Sequence, residues 1–196
     1  CIGNYSSGKM GYAIAETFAE YGAKVILVSG PVSLGLNHPE IKLVPVIQAE
    51  EMYEKCHDFF PQASITVLSA AVSDFSPEEK TEKKIKREKK DWLLKLKPTR
   101  DIAASLGNEK RPDQILVGFA LETDNEVENA LAKLKKKNFD LIVLNSLRDK
   151  GAGFQTDTNK ISIIDKNNNI DKFELKSKKE VAEDIVERII RLKHYE

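Results

Sequence analysis

The sequence predicts an α/β chain, a three-layer sandwich in which helices cover both faces of a mainly parallel sheet. Three observations predict it. A glycine-rich stretch, Cys1-Ile-Gly-Asn-Tyr-Ser-Ser-Gly-Lys-Met-Gly11, opens directly into an amphipathic run. Short apolar runs recur along the chain, and segments of helical spacing separate them. The clearest run, Val25–Val28, is continuous rather than alternating, as in a strand buried on both faces.

The elements follow in order. Helical spacing covers 10–21 and stops at Gly22, a residue suited to ending a helix. Lys24–Ser29 is the first strand, closed by Gly30-Pro31, and Ile41–Val46 is the second. Ala49–Phe59 is helical and Ser64–Ser69 a third strand. After a lysine-rich stretch come Trp92–Lys97 with strand-like alternation, a helix near Asp101–Leu106 and strand Gln114–Phe119. Helix Asn125–Lys137, strand Leu141–Leu144, a late strand Ile161–Asp165 and a final amphipathic helix Lys179–Leu192 complete the pattern. Strands alternating with helices give a mainly parallel sheet, whose ligands gather at the carboxyl ends of the strands.

Composition narrows the function. The 196 residues suit one domain spanning 1–196, with no internal repeat or clean boundary. Lys plus Arg and Asp plus Glu are both 31, so no global field favours nucleic acid or an acidic membrane, and neither is expected as a partner. Two cysteines, Cys1 and Cys56, build no disulfide framework or zinc pattern, which fits a reducing, cytoplasmic setting. No apolar run approaches the roughly 20 residues of a membrane span. The chain lacks an initiator Met and the strand that normally precedes a glycine-rich turn, so it reads as a fragment whose first strand is missing.

A glycine turn opening a helix is an anion site, because unpaired N–H groups and the positive dipole end point the same way. Gly3-x4-Gly8-Lys9 mimics a P-loop, but Met10 stands where a magnesium-binding Ser or Thr would be. The plainer alternative is a turn that only packs helix on strand. The strand ends Ser29-Gly30-Pro31, Ser69–Asp74, Gly118-Phe119-Ala120 and Asn145 converge on one rim, where Ala70 and Ala71 let a ligand approach the backbone. The segment Pro77–Lys97 carries eight lysines and Arg87, offset by Glu78, Glu79, Glu82, Glu88 and Asp91. It is open to three readings: a solvated loop, a basic flap at about 76–91 closing over polyphosphate, or a nucleic-acid patch weakened by its acids. His38, His57 and His194 have no nucleophile signature beside them, Cys56 sits on the core side of its helix, and the glycines miss the dinucleotide fingerprint.

Taken together, Gly3–Gly11, Val28-Ser29-Gly30-Pro31, Ala70–Asp74, Lys84-Ile85-Lys86-Arg87, Gly118–Thr123 and Gly153–Asp157 resemble the phosphopantothenate–cysteine ligases of bacterial coenzyme A biosynthesis, in order and spacing over essentially the whole chain. The resemblance implies a Rossmann-like fold and a single nucleotide-binding ligase domain with a flexible flap. It implies CTP as co-substrate and Mg2+ as cofactor. The carboxylate of 4′-phosphopantothenate attacks the α-phosphate to give an acyl-cytidylate and pyrophosphate, and the amine of L-cysteine then releases CMP. It further implies a homodimer, often fused to a flavin-dependent decarboxylase.

Residue by residue, the resemblance makes Asn4 the holder of the acyl-cytidylate, with Ala71 beside it at the substrate, and Lys84 the flap lysine on nucleotide and intermediate. Ser6, Ser7, Gly8 and Lys9 form the nucleotide turn, joined by Ser69, Ala70, Asp74, Asp101 and Ile102. Phe119 belongs to the cytosine pocket, and Lys133 and Lys137, four apart on one helical face, reach the phosphate chain. No residue is assigned to the metal. Two departures stand out: Arg87 ends the lysine motif, and Arg100 replaces a common proline before Asp101-Ile102. Without the resemblance, an oxidoreductase of Rossmann type or a non-catalytic anion or nucleic-acid binding module would be the alternatives.

Overall fold

The computed structural model describes residues 6–36, 38–79, 93–122, 124–146 and 157–195. Helix α1 (Lys9–Glu20) starts at Gly8, whose φ of 74° is left-handed and where a Cβ would lie 2.8 Å from Val32 Cγ1. The helix ends with Ala23 N–H donating to the Phe18 carbonyl and Gly22 N–H to that of Ala19, so the chain reverses at Gly22. Strands β1 (Val25–Ser29) and β2 (Ile41–Pro45) pair in parallel, Val25 opposite Ile41. Helix α2 (Ala49–Phe59) begins with a capping box between Gln48 and Glu51 and leads through a short 3-10 turn into β3 (Ile65–Leu68).

A short antiparallel hairpin follows, β4 (Phe75–Pro77) against β5 (Leu96–Pro98). Then come α3 (Ile102–Glu109), β6 (Ile115–Glu122), α4 (Glu126–Lys136) and β7 (Leu141–Ser146). The chain closes with β8 (Thr158–Asn159), β9 (Ile161–Asp165), β10 (Ile170–Lys172), β11 (Lys176–Ser177) and α5 (Lys178–Tyr195).

The order β10-β9-β7-β6-β3 forms the main sheet; β3, β6 and β7 are parallel, β9 is antiparallel to β7, and β10 is antiparallel to β9. Alternation along the strands divides the core into two layers. Ile115, Val117, Leu141 and Val143 face α1 and α5, whereas Leu116, Ala120, Ile142 and Leu144 face α2, α3 and α4. This is the expected three-layer α/β sandwich. Between β6 and β7 lies a buried ion pair: Lys110 Nζ donates to both Asp140 oxygens (2.9 and 2.8 Å), and Asp140 Oδ2 also accepts from Leu116 N–H at 2.8 Å.

The structure differs from expectation, or leaves it outside the described residues, in four places. Strand-like alternation at Trp92–Lys97 yields a strand only at Leu96–Pro98, because a three-residue partner is all that β4 offers; Trp92 lies outside the described residues. Of the expected flap at 76–91, Ser76 and Pro77 already belong to β4, and residues 80–92 lie outside the described residues. The one expected sheet is divided, since β1–β2 forms its own parallel pair. The short polar strands β8, β10 and β11 carry no periodic signal and went unanticipated.

Candidate functional site

The carboxyl ends of β3 and β6 open into a cavity of about 1130 Å³ whose polar rim is lined by Ser69, Ala70, Ser73, Asp74, Thr99, Arg100 and Asp101, with Ile102, Phe119, Lys133 and Lys137 beside them. Two sequence-distant segments are stitched together there. Thr99 N–H donates to the Asp74 carbonyl (2.9 Å), and its hydroxyl donates to the Ser73 carbonyl (2.6 Å). Thr99 was not singled out in the sequence, because a threonine after Lys-Pro carries no pattern of its own.

Asp101 has a double task. It caps α3, accepting from Ala104 N–H at 3.0 Å, and its other oxygen pairs with Lys137 Nζ. Burial lowers the pKa of Lys137; the Asp74 carboxylate acts in the opposite sense, as does any pairing with Asp101. Lys133 of α4 stands 3.6 Å from Glu122 Oε1 at the end of β6. Helices α3 and α4 come close enough that a Cβ on Gly107 would lie 2.0 Å from the Lys137 carbonyl oxygen, which explains a glycine in mid-helix. Arg100, the departure beside Asp101, stacks on Tyr53 with its guanidinium carbon 3.5 Å from the ring centre and pairs with Glu50, tying α2 to the rim.

The glycine turn forms a second group. Ser6 Oγ accepts from Gly8 N–H and Ser7 Oγ from Lys9 N–H, both at 3.5 Å, while Lys9 Nζ pairs with Asp157. That pairing holds the Asp157 carboxyl below the usual carboxylate range. Lys178, 7% exposed at the start of α5, donates its backbone N–H to the Asp157 carbonyl. Burial first, and then the Lys9 charge, lower its pKa. No sequence signal separates this lysine from the surface lysines of an amphipathic helix.

Of the expected site residues, the cavity brings together Ser69, Ala70, Asp74, Asp101, Ile102, Phe119, Lys133 and Lys137. Ser6, Ser7, Gly8 and Lys9 lie at the start of α1 outside its lining, although Gly11 in the first turn of that helix reaches it. Ala71 is next to the lining but not part of it. Asn4, Lys84, Arg87 and Gly153–Thr156 lie outside the described residues. Asn145, next to last in β7, has a buried carboxamide oxygen with no hydrogen-bond partner among the described residues.

His57 takes a structural place: Nδ1 bonds the Tyr53 carbonyl at 2.7 Å, and Nε2 bonds Ser105 Oγ at 2.8 Å, pinning α2 to α3. Cys56 packs against the core from α2, and burial pushes its thiol up to about 11. Among the described residues no group of three or more His, Cys, Asp or Glu could hold a metal ion, and no helix is long and apolar enough to cross a membrane.

A cavity at the carboxyl edge of a parallel sheet, with two lysines at its rim, is suited to a polyphosphate. The sequence carries a matching family signature: the family model described as the DNA/pantothenate metabolism flavoprotein C-terminal domain matches residues 1–192. The chain belongs to this family. It is 54% identical over 193 residues to a protein named cysteine/cysteine sulfinic acid decarboxylase from an unknown prokaryotic organism, covering 98% of this chain and 54% of that protein. It is 42% identical over 189 residues to the coenzyme A biosynthesis bifunctional protein CoaBC of Bacillus subtilis strain 168, covering 96% of this chain and 46% of that protein. The chain thus spans about half the length of these curated relatives. Among solved structures, the C-terminal domain of a CoaBC superposes with a TM-score of 0.81 at 37% identity, covering 98% of this chain and 88% of that one. The Rossmann-like α/β architecture of the chain is the architecture of that domain.

Proposed function

We propose that this domain joins 4′-phosphopantothenate to L-cysteine through an acyl-cytidylate formed from CTP. The observation that carries the reading is the convergence of Asp74, Asp101, Phe119, Lys133 and Lys137 on one cavity rim, in a chain whose family model is one of pantothenate metabolism and whose CoaBC relatives belong to coenzyme A biosynthesis. In this reading Lys133 and Lys137 neutralise the phosphate chain, and backbone groups near Phe119 read the cytosine edge. Ser6–Lys9 bind phosphate through backbone N–H groups at the start of α1. Asn4 donates to the acyl carbonyl of the intermediate, with Ala71 beside the substrate, and Lys84 contacts both nucleotide and intermediate.

A magnesium ion on the phosphates would screen their charge as the carboxylate approaches. The exposed Asp74 carboxylate at the rim fits that role, since such ions take one or two carboxylates together with substrate phosphates. Assembly as a homodimer, a cytoplasmic setting and fusion to a flavin-dependent decarboxylase belong to the same reading.

The test is pyrophosphate release with 4′-phosphopantothenate, magnesium and either CTP or ATP, for this chain, for a version extended upstream to the length of its relatives, and for Asn4→Ala. Release that requires phosphopantothenate, favours CTP and yields the amide only with cysteine is the expected result. Carbon dioxide release from cysteine serves as the control for the decarboxylase name of the 54%-identical relative. No pyrophosphate from either version refutes the ligase reading.

A further inference from the structure

Two buried amide oxygens lie beyond the cavity lining, at the carboxyl end of the sheet. The carboxamide oxygens of Asn145 and Asn159 have no hydrogen-bond partner among the described residues, and Asn159 as a whole is only 5% exposed. A buried acceptor without a donor is costly, so two in one neighbourhood point to a ligand that brings N–H or O–H groups.

The strand register places the two together. Asn145 lies opposite Ile161 in the antiparallel β7–β9 pair, and Asn159 is two residues before Ile161. Diagonal neighbours of this kind are about 7–8 Å apart at the backbone, within reach of two amide side chains for one small donor. Val143, two residues before Asn145, faces α1 and α5, so Asn145 falls on that layer. Lys176 lies opposite Asn159 in the β8–β11 pair, and two residues later Lys178 opens α5. Phe119, opposite Val143 in the β6–β7 pair, belongs both to that layer and to the cavity lining. The two oxygens are therefore one step beyond Phe119, at the same end of the sheet as the polar rim.

Charge completes the picture. Lys9 pairs with Asp157, and the buried Lys178 interacts with both of their charges. Among these three groups, two ammoniums face one carboxylate, which leaves positive charge in excess beside two neutral acceptors.

We propose that Asn145, Asn159 and Lys178 seat the amino-acid co-substrate, the two amide oxygens accepting from its amine and Lys178 facing its carboxylate. The assignment rests on the ligase reading, in which that amino acid is L-cysteine. Amide oxygens suit a nucleophilic amine better than carboxylates do. A carboxylate would favour the ammonium form, whose nitrogen has no lone pair to attack with. Two neutral oxygens accept two N–H bonds and leave the lone pair free. In the step itself the nitrogen bonds to the acyl carbon, the bond from that carbon to the phosphate oxygen breaks, and CMP leaves with the electron pair. The proton released from nitrogen passes to water.

The test follows the two half-reactions separately in the upstream-extended version of the chain. Without cysteine, 4′-phosphopantothenate and CTP give pyrophosphate and the acyl-cytidylate; cysteine is then titrated in, and amide formation is followed by mass spectrometry. Asn145→Leu and Asn159→Leu should release pyrophosphate within about twofold of the parent, but raise the half-saturating cysteine concentration by about tenfold or more. Lys178→Met should weaken L-cysteine by about tenfold and cysteamine, which lacks the carboxylate, by less than about twofold. Misfolding cannot produce that contrast within one variant. An intact first step with unchanged cysteine dependence would overturn the assignment alone, as would equal losses for cysteine and cysteamine. Should the Leu variants lose the first step too, Asn159→Asp, which keeps the shape, decides. It should slow amide formation at saturating cysteine with the first step intact, and an unchanged rate would overturn the assignment. No pyrophosphate from the parent would refute the ligase reading itself, and the assignment with it.

Discussion

Replacing Asp101 separates two contributions made by one carboxylate. Its N-cap bond to Ala104 N–H contributes about 1 kcal/mol, the usual cost of an Asp-to-Ala change at such a position. Its ion pair with Lys137 contributes less, about 0.5–1 kcal/mol, because the Asp101 side chain is 54% exposed and water screens the attraction. Asp101→Ala should therefore cost about 1.5–2 kcal/mol, and Asp101→Ser, which keeps a capping oxygen, about 0.5–1. In a domain of this length these become falls in Tm of about 3–8 °C and 1–4 °C. Urea unfolding of both variants in low and high salt distinguishes the parts: the Ser variant should approach the parent as salt rises, and the Ala variant should keep a residual deficit from the lost cap. Equal destabilisation by Ala and Ser at every salt concentration would refute the capping assignment. A Ser variant as stable as the parent in low salt would refute the ion-pair contribution.

Because burial lowers the Lys137 pKa, its ammonium is lost earlier than an ordinary lysine's as pH rises, so CTP affinity measured by calorimetry should decline with rising pH at a midpoint below 10.5. Lys137→Met should weaken CTP by about tenfold and remove that pH dependence, and an unchanged profile would exclude the lysine from the phosphates. Asp140→Ala leaves Lys110 buried without its partner and should cost about 3–5 kcal/mol in urea unfolding. The double change to Lys110→Met and Asp140→Leu should be milder, and a double variant as damaged as the sum of the singles would contradict that account. Cys56, its thiol pushed up to about 11, should resist alkylation at pH 8 until the chain unfolds, as followed by mass spectrometry.

The expectation of a flap at 76–91 shows how function and structure can be legible to different degrees. Its lysine pattern is plain in the sequence, but the pairing of Phe75–Pro77 with Leu96–Pro98 is not, because three-residue edge strands need little periodicity. Asp101 shows the complementary case. The sequence places Asp101 at the start of a helix and beside the nucleotide, but its capping bond to Ala104 N–H appears only in the structure, and its ion pair with Lys137 spans 36 residues and depends on how α3 packs on α4. Lys178 reads as one more surface lysine until the Asp157 segment and Lys9 close around it.

By itself, the sequence determined the alternation of strands and helices, α1 and α2 to within a residue or so, and the strand ends where a ligand would gather. These are local properties: apolar periodicity, β-branched runs, caps and glycine stops act over a few residues, and each element's burial demand is written in its own pattern. Tertiary structure alone decided that Asp74, Thr99, Asp101, Lys133 and Lys137 share one rim, that His57 is held by Tyr53 and Ser105, and that β1 and β2 pair apart from the main sheet. Those facts depend on contacts between segments far apart in the chain, whose geometry comes from packing two helical layers onto one sheet and not from the local preference of any segment.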